Sequence, residues 1–358
     1  MLDTLRLKFG HAAQSPPEVI KVTPVTVFVG PNNSGKSKVL TEIEQYCRSG
    51  QKNANTVILD EVTFTGLAAE AAARAVDRII IVPGPGYRCL PGHVLMETAR
   101  GQPTEFDREF LIKCVSDPAI NPPYFCPMFL DRLTLMLDGT RRINMVSQQP
   151  GGDLQKPRTS LQALFSDDAK RQEVRRILEE AFGLYFVIDA TNLGQLRIRF
   201  SQRPPSSNLE ERGIHEEAVR FHADALPIDE TSDGVKAFTG LIAEVAAGDP
   251  SVLLIDEPEA FLHPALAFKL GHELSRIALR ADKRVFASTH SPTFVMGCNG
   301  VYTIWSSGDH STTHLSHRCC VSAGPVQFGA PSDDEKSAVA IYGSVERSLL
   351  RVRGGDGI

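Results

Sequence analysis

Apolar and basic positions alternate at the start of the chain, Leu5-Arg6-Leu7-Lys8-Phe9, which is the pattern of a half-buried strand. Val25-Thr26-Val27-Phe28-Val29 is a short β-branched run that ends at a glycine, and it predicts a second strand. Past Gly35 the period changes. Val39, Leu40, Ile43 and Cys47 recur at spacings of three to four, which predicts an amphipathic helix to about Arg48. Strand, glycine-rich loop and helix therefore follow one another.

The pattern from about 51 to 195 is less regular. A helical Ala-rich stretch (Leu67 to Val76) and an apolar run (Ile79 to Val82) lead to Pro83-Gly84-Pro85-Gly86, a strong breaker. The cluster Gln148-Gln149-Pro150-Gly151-Gly152 reads as a loop, and Leu161, Leu164, Phe165, Val174, Ile177 and Leu178 predict one helix from about Ser160 to Phe182. This region is expected to form an inserted helical arm. Leu196-Arg197-Ile198-Arg199-Phe200 alternates as a strand, and a polar loop at Pro204 to Asn208 follows. From about 225 to 297 the pattern is helix (Val235 to Val245), strand (Val252 to Ile255), helix (Leu266 to Ile277) and strand (Val285 to Ser288). That βαβ rhythm predicts a parallel sheet. No fixed repeat or sustained heptad is present, which excludes a solenoid or a long coiled coil.

The expected fold is therefore α/β, with a mostly parallel central sheet, an antiparallel N-terminal subsheet and the arm. One domain is expected over 1–298 and an irregular tail over 299–358. With 358 residues, 42% hydrophobic and 23% charged, the chain can bury a large core, and a miniprotein or a disordered protein is excluded. The net charge of −5 makes any basic surface local. No apolar run is long enough for a membrane span, and the start lacks the flanks of a secretory signal, so a cytoplasmic protein without a membrane partner is expected. Seven scattered cysteines do not make a disulfide framework.

Gly30-Pro31-Asn32-Asn33-Ser34-Gly35-Lys36-Ser37 fits the phosphate-binding pattern G-x-x-x-x-G-K-S. Backbone N–H groups of such a loop cradle phosphates, Lys36 neutralises β and γ charge, and Ser37 ligates Mg²⁺. Strand before and helix after aim the positive helix end at the anion. Two segments offer a carboxylate to hold Mg²⁺ through water, Val57-Ile58-Leu59-Asp60-Glu61 and Val252-Leu253-Leu254-Ile255-Asp256-Glu257, each read as Asp-Glu at the end of an apolar strand. Asp256 is assigned to the metal and Glu257 to polarising the attacking water, because a strong helix follows them and Ser232-Asp233-Gly234 closely precedes them. Asp60-Glu61 is read as structural.

The order of Gly30 to Ser37, Thr231-Ser232-Asp233-Gly234-Val235-Lys236, Leu254-Ile255-Asp256-Glu257-Pro258-Glu259 and Ser288-Thr289-His290-Ser291-Pro292 resembles the P-loop ATPases of ABC type. More narrowly, it resembles the ATPase domain of the overcoming-lysogenization-defect (OLD) family. The resemblance covers about residues 1 to 298. It implies ATP and Mg²⁺ as cofactors and a homodimer that closes around ATP. It implies that Gly30, Asn32, Asn33, Ser34, Gly35, Lys36 and Ser37 hold the nucleotide, and that Ser232, Asp233 and Gly234 touch the γ-phosphate bound to the other subunit. Locally, Ser232 is a good N-cap and Gly234 permits close backbone approach. His290 resembles the switch histidine beside the catalytic water, and His263 that of a dimer-facing Leu-His-Pro loop. Gln148 and Gln149 are candidates for the family's glutamine loop.

The resemblance also implies a role around DNA, in repair or phage defence. Between Arg132 and Arg212 there are 13 basic and 10 acidic residues, and Arg141, Arg142, Arg175, Arg176, Arg197 and Arg199 are candidate phosphate contacts. OLD proteins usually carry a C-terminal TOPRIM nuclease domain. After Cys298 this sequence has no Asp-x-Asp pair, so any nuclease is expected from a partner. His314, His317, Cys319 and Cys320 cluster there without a standard zinc spacing. A second reading is a nucleotide-gated dimerisation module with negligible turnover. A transporter subunit is disfavoured, since Ser232-Asp233-Gly234 departs from the Leu-Ser-Gly-Gly-Gln form.

Overall fold

The structure, a computed structural model, describes residues 1–306 apart from 10–15, 31, 85, 98–102, 139–141, 143, 156, 249 and 299–301. The tail from 307 onward, with its histidine and cysteine cluster, lies outside the described residues.

The fold is α/β. Five parallel strands form the central sheet: β3 (Val25–Val29), β8 (Thr134–Leu137), β13 (Val252–Asp256), β14 (Arg284–Thr289) and β15 (Tyr302–Ser306), in the order β15-β3-β14-β13-β8. Continuous apolar runs suit strands covered on both faces, and Val252 to Ile255 are fully buried. Helix α1 (Lys36–Ser49) packs across β8, β13 and β14. It buries Val39, Leu40, Ile43 and Cys47 completely, as its periodicity predicts. Each such side chain stabilises the contact by about 2 kcal/mol.

An antiparallel N-terminal sheet, order β2-β1-β4, is built from β1 (Leu2–Leu7), β2 (Glu18–Lys21) and β4 (Leu59–Phe64). Leu2, Leu5, Leu7, Ile20, Leu59 and Val62 share one core with α1 and with Phe28, Val252, Leu254 and Phe286 of the central sheet.

The region from 51 to 195 does more than insert an arm. It supplies β4 to the N-terminal sheet and β8 to the edge of the central sheet. Between them, α2 (Ala69–Ile79), a meander of β5 (Ile80–Ile81), β6 (His93–Glu97) and β7 (Pro103–Asp107), and α3 (Arg108–Ser116) bury Ala72, Val76, Met96, Leu111 and Val115 in that same core. A short helix α4 (Pro122–Phe125) follows. The single helix expected from Ser160 to Phe182 is two, α5 (Ser160–Ser166) and α6 (Asp168–Phe182). Asp167 leaves helical space at φ −111° and ψ 104°, and its side chain accepts from Lys170 N as the N-cap of α6. The central sheet also runs past residue 298, because β15 pairs with β3 in register Tyr302↔Val25 to Ser306↔Val29.

A separate antiparallel sheet joins β9 (Gln149–Pro150), β10 (Tyr185–Asp189), β11 (Gln195–Ser201) and β12 (Leu226–Pro227). Helices α7 (Asn208–Arg212) and α8 (Glu216–Ala223) lie between β11 and β12 in the chain, α9 (Asp233–Ala247) follows β12, α10 (Pro264–Arg280) lies between β13 and β14, and α11 (Pro292–Gly297) follows β14. No helix among the described residues is long and apolar enough to cross a membrane.

One buried carboxylate joins α1 to the N-terminal sheet. Glu42, 2% exposed, accepts from the amides of Val57 (2.7 Å), Ile58 (2.9 Å) and Leu59 (2.8 Å). Three donors to one ionised group make strong bonds in a low dielectric. Glu42→Ala should lower the unfolding free energy by about 3 kcal/mol, because three buried N–H groups lose their acceptor. Urea unfolding checks this, and a change under about 0.5 kcal/mol would show that water replaces the clamp.

Candidate nucleotide site

The parallel order sets the C-terminal ends of β3, β14 and β13 side by side, where open α/β sheets bind ligands. From β3 the chain enters the Gly30–Ser37 loop. Asn33 (φ 64°) and Gly35 (φ 92°) both take left-handed conformations there. Asparagine tolerates that region better than most residues, whereas Gly35 has a second constraint. A Cβ at Gly35 would stand 2.9 Å from Ile58 Cδ1. Asn32 and Asn33 are exposed, Ser34 and Gly35 half-buried, and Lys36 is 5% exposed with Nζ donating to Gly30 O at 2.8 Å. The ammonium is thus folded back over the loop it would serve.

Asp256 ends β13 and stands in register with Ser288 of β14. Ser37 Oγ donates to Asp256 Oδ1 at 2.9 Å, and Ser288 Oγ donates to the same oxygen. The residues present fit Mg²⁺, because a hydroxyl and a carboxylate side by side offer it hard oxygen donors.

The turn after β13 holds two more carboxylates in different settings. Glu257 sits at φ 48°, a strained conformation for a non-glycine residue, and its amide donates to Ser288 O at 2.9 Å. That backbone presents a side chain 45% exposed. Glu259 is 9% exposed, and its Oε1 accepts from Thr289 Oγ1 (2.6 Å) and His290 N (3.2 Å). His290 Nδ1 lies 3.6 Å from Glu257 Oε1 and 3.5 Å from Glu259 Oε1. The structure thus brings Lys36, Ser37, Asp256, Glu257 and His290 together at one sheet edge. Glu259 is the residue that sequence reasoning left without a role. Its signal was present as the second glutamate of Asp256-Glu257-Pro258-Glu259.

Ser232 caps α9, accepting from Val235 N at 3.4 Å, with Asp233 in the first turn. A Cβ on Gly234 would come 2.6 Å from Phe261 O, so the absence of a side chain lets α9 approach the turn that starts at Glu257. Among the described residues no hydrogen bond or ion pair links Ser232, Asp233 or Gly234 to the Gly30–Ser37 loop of the same chain. His263 caps α10 through Nδ1, which accepts from Ala265 N at 3.3 Å.

Other expectations change. Asp60 and Glu61 lie inside β4 rather than at a strand end. Asp60 pairs with Lys52 (2.8 Å) and Arg6 (3.4 Å), and Glu61 stands opposite Arg6. Gln149 belongs to β9 and pairs with Leu196 in the separate sheet, while Gln148 is exposed. What leaves β8 beside β13 is the stretch containing Asp138 and Arg142.

The candidate DNA-contacting arginines are engaged internally. Arg175 donates to Phe186 O at 2.9 Å and pairs with Glu211, and Arg176 pairs with Glu173, Glu180 and Glu273. Arg197 and Arg199 both hold Asp189 Oδ2, at 2.7 and 2.8 Å, and Arg142 is buried. Arg141 lies outside the described residues. The partners of Arg175, Arg176, Arg197 and Arg199 are mostly among the acidic residues of the same 132–212 stretch, and a net count does not show which charges pair in the fold.

A glycine-rich loop between a parallel strand and a helix lies beside the Asp-Glu end of the strand next but one in the sheet, an arrangement suited to holding a phosphate group. Residues 163–296 match the family model described as "AAA domain, putative AbiEii toxin, Type IV TA system", a segment that takes in Asp256, Glu257 and His290. No curated protein matches the chain. Among solved structures, similar ones include an SMC head bound to the C-winged helix domain of ScpA (14% identity, 86% of this chain and 94% of that one, TM-score 0.48). An SMC head domain from Thermotoga maritima (14%, 85% and 94%, 0.41) and a Pyrococcus furiosus SMC head with an extended coiled coil (12%, 86% and 94%, 0.41) are also similar. At these values the likeness is one of outline.

The ion-pair networks make the fold acid-sensitive. The Arg203 guanidinium, bonded to Glu210, lowers that carboxyl from 4.5 to about 2, helped by bonds from Ser206. A folded-state value below the unfolded one means that this stability is complete above the unfolded value and is lost as pH falls from 4.5 towards about 2. In urea titrations across that window, Glu210→Gln should flatten the decline in midpoint relative to the parent; parallel curves would remove Glu210 as the cause.

Proposed function

We propose that the chain is a Mg²⁺-dependent ATPase of ABC/OLD type that closes as a homodimer around ATP. The observation that carries this reading is the convergence of Ser37 and Ser288 on one oxygen of Asp256, with Glu257 and His290 beside it. In the proposed reaction the loop amides and Lys36 receive the triphosphate, and Ser37 and Asp256 would hold Mg²⁺. Bound there, the ion would neutralise phosphate charge. Glu257 polarises the attacking water and His290 orients it towards the γ-phosphorus. Ser232, Asp233 and Gly234 sit on an N-capped helix start, whose free amides and positive end support contact with the γ-phosphate of a nucleotide bound to a second copy.

The biological setting follows by analogy only. The OLD resemblance favours DNA-linked processing or phage defence with a partner nuclease or other effector, and the matching family's description adds a toxin of a type IV toxin–antitoxin system as a further candidate setting. Because the predicted phosphate-contacting arginines are engaged internally, DNA binding on this reading uses other surfaces.

Lys36→Ala should abolish nucleotide binding or turnover, and Glu257→Gln should lower multiple-turnover phosphate release by about a hundredfold or more while retaining ATP. Light scattering of Glu257→Gln should show the mass doubling on adding Mg-ATP. Unchanged turnover in Lys36→Ala would overturn the site. Nucleotide-dependent dimers with no turnover in the parent protein would establish the gated-module alternative.

A further inference from the structure

Glu259 is buried, whereas Asp256 and Glu257 on the same turn are only half-buried. A buried carboxylate is costly unless it is bonded, and the donors to this one come from a single short segment. Its Oε1 accepts from Thr289 Oγ1 at 2.6 Å and from His290 N at 3.2 Å, while Oε2 is buried without a hydrogen-bond partner among the described residues. Thr289 Oγ1 in turn accepts from Ser291 N at 2.9 Å, so the hydroxyl is donor and acceptor at once and its direction is fixed. Residues 289 to 291 are thereby tied to one oxygen. His290 is the middle one, and its Nδ1 lies 3.5 Å from that oxygen and 3.6 Å from Glu257 Oε1. The strand and helix on either side are anchored without Glu259. Thr289 stands in register with Val29, and α11 is pressed onto α10, where a Cβ on Gly271 would come 2.4 Å from Phe294 O and one on Gly297 2.0 Å from Phe268 O. The imidazole itself is 55% exposed, so packing does not aim it. Its direction is set by the peptide it leaves, and that peptide is held by Glu259.

We propose that Glu259 is a positioning residue for His290. Through its bonds to Thr289 Oγ1 and His290 N it keeps the imidazole beside Glu257, so that the two side chains meet the same attacking water. The proposal rests on the ATPase reading above and adds a residue to it. A reacting group misplaced by about 1 Å can cost on the order of a hundredfold in rate, so a turn that loses this acceptor loses turnover rather than nucleotide. The role needs an acceptor oxygen and not a charge, and a glutamine in this place keeps a carbonyl oxygen for both donors. A purely structural carboxylate would behave differently. Its loss would lower stability and act on turnover independently of His290.

The test is steady-state phosphate release by the full chain with Mg-ATP. It compares the parent protein with Glu259→Ala, Glu259→Gln, His290→Ala and the double variant of Glu259→Ala with His290→Ala. Glu259→Ala should lower kcat about tenfold or more with KM for ATP within about twofold of the parent, and Glu259→Gln should recover kcat to within about threefold. In the His290→Ala background, Glu259→Ala should cost less than about twofold more, because a residue that acts through another has no effect once that other is gone. Unchanged kcat in Glu259→Ala, a rise in KM alone, or losses that multiply in the double variant would overturn the proposal. Where His290→Ala leaves too little turnover to compare, the glutamine decides, and a kcat as low as that of Glu259→Ala overturns it. Should Glu259→Ala fail to fold, as melting would show, Thr289→Val takes its place in the same cycle, and an unchanged kcat or a multiplied loss overturns it. A parent protein without turnover would overturn the ATPase reading and this proposal together; turnover by the parent with independent losses in the variants overturns this proposal alone.

Discussion

The site depends on register. Parallel pairing sets Asp256 against Ser288 and Thr289 against Val29, so three strands finish together and the loop leaving β3 lies opposite the turn leaving β13. Side chains on a strand alternate between faces, so a slip of one residue between β13 and β14 would turn Asp256 away from Ser288 and Ser37. The fully buried apolar run Val252 to Ile255 resists such a slip, because every register change would cost packing on both faces. Core packing and chemistry are fixed by the same pairing.

Three carboxylates stand within four residues, and the backbone assigns them different environments. Asp256 remains on the strand and accepts from two hydroxyls; Glu257 is turned outward by a left-handed backbone; Glu259 is folded inward to bond the end of β14. Chemically similar groups are thus separated by exposure rather than by distance along the chain. Strain at Glu257 is tolerated because its amide, and that of Ala260, are held by bonds to Ser288 O and Glu257 O.

Much of this was legible in the sequence wherever an apolar run had a sharp boundary. The β3–loop–α1 unit ends at the glycines that mark it, and β13 and β14 are buried on both faces and read as continuous runs. Strand β8 was not legible, because Thr134 to Leu137 is only four residues long and directly follows helical turns from Pro122 to Leu133. Nor was the break in Ser160–Phe182, where apolar spacing continues across Asp167 although its capping preference divides the helix. The arginines were misread for a different reason. A charge count along the sequence cannot see that Asp189 lies across β10 and β11 from Arg197 and Arg199, or that Glu211 reaches Arg175.

Glu42 has a mechanical consequence. One side chain grips three successive amides at the entrance to β4, and it does so from the helix whose first turn is the phosphate loop itself. Helix and N-terminal sheet therefore cannot slide past each other without breaking all three bonds at once. The loop that opens the helix and the strand that closes the sheet are thereby held in fixed register by one carboxylate, so the position of either constrains the other.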